Sequence, residues 1–122
     1  MSEVVVVGLL RAKPGHEDEV AEALREVAGQ THEEQGCLLY AVHRGREDPS
    51  QFALVERWIS RETLDEHFTK PYVQALGERA GEALAEPPRV HFLEALPGGD
   101  PAKGRIGGDR GPRSAGYSSG SG

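Results

Sequence analysis

Residues 37–59, CLLYAVHRGREDPSQFALVERWI, hold two apolar runs on either side of a turn. Cys37 to Arg44 and Gln51 to Ile59 are rich in β-branched, aromatic and aliphatic residues, the composition of strands. Between them Gly45 to Ser50, with Asp48-Pro49 inside, has the residues of a turn. The two runs therefore form an antiparallel hairpin. Alternation along the second run puts Phe52, Leu54, Glu56 and Trp58 on one face. Ala53, Val55, Arg57 and Ile59 fall on the other.

Upstream, the β-branched run Val4 to Leu10 reads as a buried strand, ended by the Lys13-Pro14-Gly15 turn. Val20, Leu24, Val27 and Thr31 then recur at helical spacing, and Glu17, Asp18 and Glu19 occupy the first turn, where acids complement the helix dipole. The spacing predicts a helix over about 16–34 that stops at Gly36. Downstream, Ser60 is a good N-cap for a helix starting at Arg61, with Leu64, His67, Phe68 and Tyr72 on one face. Pro71 should kink it, and the helical pattern resumes over Val73 to Ala85. Pro87-Pro88 ends that pattern, and Val90 to Leu96 reads as a fourth strand.

The order strand, helix, strand, strand, helix, strand predicts an α+β, ferredoxin-like βαββαβ fold. Its four-stranded antiparallel sheet carries both helices on one face. The opposite face is then left bare, with no segment of the chain remaining to cover it. A second copy packed sheet to sheet is the expected cover, giving a homodimer.

The folded domain should span residues 1–96. Residues 97–122 are dominated by glycine, proline and serine and are expected to stay disordered, since they bury too little apolar surface to offset ordering entropy. The net charge of −6 and the lack of a basic stripe argue against nucleic acid. The apolar N-terminal run is too short for a membrane span. A single cysteine, Cys37, excludes an internal disulfide and suits the cytoplasm. His16, His32, His43 and His91 show no ligand spacing, so no metal is expected.

Several of these features occur together in a recognisable pattern: Gly36-Cys37-Leu38-Leu39-Tyr40, then Asp48-Pro49, then Phe52 through Trp58, then His67 and Pro71. With the Lys13-Pro14-Gly15 turn before an acidic helix, the chain resembles the antibiotic biosynthesis monooxygenase domain family over about Val4 to Leu96. The resemblance implies a dimeric α+β barrel. It also implies oxidation of a quinol or polycyclic phenol by molecular oxygen, without flavin, metal or other cofactor. Haem-degrading relatives of this fold use an Asn on the first strand, and Val4 to Leu10 has none.

Such a reaction asks for a base that removes a phenolic proton, because the phenolate itself reduces oxygen, and for a dry site that stabilises the anion. His67 is the candidate base, since an imidazole titrates near neutrality. Trp58 could stack on the substrate or donate its indole N–H, and Tyr72 could hydrogen-bond a substrate oxygen. Glu56 could orient His67 or pair near Arg57, while Phe52, Leu54 and Phe68 would add apolar wall. If the helix folds back over the end of the strand, Trp58, His67, Phe68 and Tyr72 surround one cavity fit for a flat aromatic molecule. The alternative is a non-catalytic dimeric binding module with Trp58 as core or dimer contact, or an isomerase on the same pocket.

Overall fold

The computed structural model describes residues 2–108. Seven elements follow in order: β1 (Val4–Arg11), α1 (Glu17–Thr31), β2 (Cys37–Arg44), β3 (Gln51–Trp58), α2 (Arg61–Phe68), α3 (Pro71–Ala83) and β4 (Arg89–Leu93). The strands form one antiparallel sheet in the order β2-β3-β1-β4. This is the ferredoxin-like α+β arrangement.

Register decides what each face holds. Val6 and Tyr40 both pair with Glu56, so they share the face of Phe52, Leu54, Glu56 and Trp58. That face is the core: those side chains are buried together with Val20, Leu24, Val27 and Leu64 from the helices. The α1 stripe predicted from spacing is buried throughout, Thr31 included. Its last turn ends sooner than predicted. After Thr31 the chain tightens to i→i+3 bonds, Glu33 N–H to the Gln30 carbonyl and Glu34 N–H to the Thr31 carbonyl.

The second helical stretch is two helices. Ser60 caps α2 by accepting from the Thr63 N–H at 3.2 Å. Pro71 cannot donate a helical hydrogen bond and instead opens α3 as its first residue. The C-terminal end of α3 is tied back to β1 through Lys13 N–H to the Ala83 carbonyl and Ala85 N–H to the Arg11 carbonyl. β4 is shorter than the predicted Val90 to Leu96. Leu93 already pairs with Val5, and β1 has only Val4 left to offer.

The outer sheet face differs from the expectation that no part of the chain reaches it. Arg57 points to that side and is buried. Its guanidinium is held by Glu3 at 2.9 Å and by the backbone carbonyls of Ile106 and Gly108 at 3.2 and 3.5 Å. A buried cation needs acceptors, and the 106–108 segment brings them. Arg105 joins the same Glu3 carboxylate at 3.0 Å. Part of the stretch expected to be disordered is thus seated on the sheet; its remainder, from residue 109 on, lies outside the described residues. No helix among the described residues is long and apolar enough to cross a membrane.

Candidate active site

Trp58 ends β3 and is fully buried; His67 lies near the end of α2 and is 2% exposed. Their rings meet at 4.8 Å between centroids, tilted by 45°. Tyr40 from β2 and Phe68 from α2 approach the same imidazole at 5.8 and 5.6 Å. The end of β3, the end of α2 and the middle of β2 therefore converge on His67, as the fold-back of α2 over β3 requires.

The polar partners are distributed differently from the sequence reading. Glu56 does not hydrogen-bond His67; its Oε1 accepts the Trp58 indole N–H at 2.8 Å. That N–H is accordingly committed within the chain. Glu34 takes the orienting position instead, with Oε2 2.9 Å from His67 Nδ1. The Tyr72 hydroxyl donates to the same carboxylate oxygen rather than standing free for a substrate.

Electrostatics follow from this layout. Burial raises the Glu56 carboxyl above its ordinary range, the Trp58 N–H and the nearby His67 pull it back, and the Glu34 charge pushes it up again. The Tyr40 phenol is raised by burial and by the Glu56 charge beside it. Tyr72 is raised too, first by desolvation and then by its bond to Glu34. The Cys37 thiol, partly buried behind Trp58, is lifted to about 11, which makes it a poor nucleophile.

Phe52 and Leu54 lie on the same face as Trp58 but not at the same place. Six residue steps along the strand separate Phe52 from Trp58, roughly 20 Å, and the Arg44 guanidinium covers the Phe52 ring at 5.3 Å. Both are core side chains here, so sharing a face did not mean sharing a site. Phe68 is half-exposed and meets Phe92 of β4 edge to face at 6.5 Å, with Arg61 over the Phe92 ring at 4.7 Å. These two rings lie at the surface on the Phe68 side of His67.

The Trp58 and His67 rings pack against each other and are both buried, and neither lines the cleft that Tyr72 borders. Glu34 and Tyr72 instead line an open cleft of about 620 Å³ together with Gly36, Ile59, Thr63 and Lys70. Among the described residues, no group of three or more His, Cys, Asp or Glu side chains gathers around a point where a metal ion would sit.

Sequence reasoning missed Glu34 and Phe92. Glu34 stands beside Glu33 in a turn, and no periodicity separates the inward acid from the solvated one. Its place two residues before Gly36 was the available signal. Gly36 has no room for a side chain: an added Cβ would overlap Thr63, whose Oγ1 and Cγ2 lie within 2.6 Å. That close approach seats α2 on the turn and brings Glu34 to His67, one helical turn beyond Thr63.

A family model described as antibiotic biosynthesis monooxygenase matches residues 3–79. A Mycobacterium tuberculosis protein named provisionally as a monooxygenase is 30% identical over 95 residues, covering 78% of this chain and 93% of that one. The solved structure of that protein superposes with a TM-score of 0.75 at 27% identity, over 81% of this chain and all of the other. An uncharacterized Synechocystis protein is 28% identical over 91 residues, 75% of this chain but only 62% of its own length. A Pseudomonas aeruginosa crystal structure at 23% identity and TM-score 0.75 shares the fold, over 80% of this chain and 97% of its own. With the sheet order, the Glu56–Trp58 strand and the His67 helix all in place, the chain belongs to the antibiotic biosynthesis monooxygenase family and forms a monooxygenase-like domain.

Proposed function

We propose that this protein oxidises an electron-rich phenol or quinol with molecular oxygen and without a cofactor, with His67 as the base. The observation that carries the reading is the buried His67, clasped by Glu34 on one side and faced by the Trp58 ring on the other. A dry, aromatic surrounding suits a flat phenol and favours transfer of its proton to a fixed imidazole. The phenolate so formed is the reductant for oxygen. Trp58, its N–H committed to Glu56, serves as a rigid wall. Substrate enters over Phe68 and Phe92, whose half-exposed rings must part to uncover His67. The working form is a homodimer, with the outer sheet faces of two copies packed together and the reaction carried out in the cytoplasm.

The test is oxygen uptake with a panel of quinols. Activity should survive chelator, fall roughly 10²- to 10⁴-fold in His67→Ala, and show mainly a raised KM in Trp58→Phe. The complete burial of Trp58 favours a second reading, a non-catalytic binding module in which this cluster is only core. Absence of oxygen uptake with every quinol, or full activity in His67→Ala, selects that reading.

A further inference from the structure

Glu34 is turned inward with its side chain only 9% exposed, and its Oε2 collects two donors, His67 Nδ1 and the Tyr72 hydroxyl. An ionised carboxylate accepts hydrogen bonds and donates none, so the proton in the 2.9 Å contact must sit on Nδ1. A neutral imidazole has one N–H, which leaves the lone pair on Nε2. The ring cannot turn over to exchange its nitrogens without displacing Trp58, Tyr40 and Phe68, which pack around it. The Tyr72 hydroxyl, reaching across from α3, fixes the carboxylate in turn.

We infer that Glu34 is the positioning residue of this site, setting His67 as the Nδ1–H tautomer so that Nε2 is the atom that accepts the substrate proton. The inference rests on the reading of His67 as the base. In that step the substrate O–H bond breaks and its electron pair stays on oxygen, while a new N–H bond forms at Nε2. The resulting imidazolium keeps both protons, and its charge faces the Glu34 carboxylate. Glu34 thus contributes twice without touching substrate: it orients the lone pair and it stabilises the cation.

The tautomer is read directly from long-range proton–nitrogen correlation spectra of histidine-labelled protein at alkaline pH. Wild-type His67 should carry its proton on Nδ1. Glu34→Gln keeps an acceptor and should keep that tautomer while losing the charge; Glu34→Ala should shift the proton toward Nε2. A wild-type His67 protonated at Nε2 overturns the inference, as does a folded Glu34→Ala protein whose tautomer is unchanged. If Glu34→Ala does not fold, the wild-type spectrum decides alone. With a quinol that the protein oxidises in hand, both variants should lower kcat, by no more than the ~10²- to 10⁴-fold that the base contributes, with KM little changed. The spectrum needs no turnover. An Nδ1–H tautomer with no quinol oxidised would therefore leave Glu34's hold on the His67 tautomer standing and remove the base role together with the quinol reading.

Discussion

Glu56 and Thr31 are polar groups that the core has closed over, and they differ in what burial costs them. The Glu56 carboxyl is 6% exposed and raised above its ordinary value of 4.5. The native state therefore holds the Glu56 proton to a higher pH than the unfolded chain does. Over that window the folded protein binds more protons, so stability falls as pH rises above 4.5 and stays lower once the folded group ionises. Glu56→Gln keeps an oxygen for the Trp58 N–H and removes the charge. It should be more stable than wild type at pH 7, with the gap closing toward pH 4, as followed by urea midpoints. Thr31 has a fully buried hydroxyl with no hydrogen-bond partner among the described residues. Thr31→Val keeps the shape and drops the unsatisfied group, so it should gain roughly 1 kcal/mol in the same measurement.

At the scale of elements, two turns hold the geometry. In the β2–β3 hairpin, Asp48 accepts from the Ser50 N–H and hydroxyl at 3.1 and 2.7 Å and from Arg11 of β1 at 2.9 Å. Those donors hold its carboxyl down at about 2. Its stabilising contribution is therefore complete above the ordinary value of 3.8 and is lost as pH falls through about 2. Asp48→Asn should lower the thermal midpoint at pH 7 and change it little at pH 2. In the α1–β2 turn, Gly36→Ala would drive a methyl into Thr63 and should cost roughly 1–3 kcal/mol. It should also push His67 away from Glu34, which a changed His67 tautomer in the spectrum would reveal. The first turn was legible in the sequence because Asp48-Pro49-Ser50 is turn chemistry by itself. The second was only half legible. Gly36 could be read as the end of a helix, but its reason for being glycine lies in Thr63, 27 residues away. The same limit explains the site. Alternation along β3 names the inward face correctly, yet cannot say that Phe52 sits at the far end from Trp58. The helix pattern finds His67, yet its partner Glu34 sits in an aperiodic turn.

At the scale of the whole molecule, the outer sheet face is only partly occupied. The 106–108 segment covers the corner around Arg57 and Leu39, where Gly107 comes so close that a Cβ would lie 3.2 Å from Leu39 Cδ1. Leu9 and Leu93 stay partly exposed, and by register both share that face with Val5 and Val7. Apolar side chains on a sheet face call for a cover, and the proposed dimer would place a second sheet over the open portion. Light scattering at micromolar concentration should therefore give twice the chain mass of 13.2 kDa. Truncation after Leu96 separates the two kinds of cover. Arg57 would lose the carbonyls of Ile106 and Gly108 and keep only Glu3, so the thermal midpoint should drop by several degrees. The area open to a second copy would grow, so the truncated chain should dimerise at least as tightly as the full one. A full-length chain that stays monomeric at high concentration would refute the paired-sheet arrangement. A truncated chain that dimerises more weakly would instead show that the C-terminal segment belongs to the dimer contact.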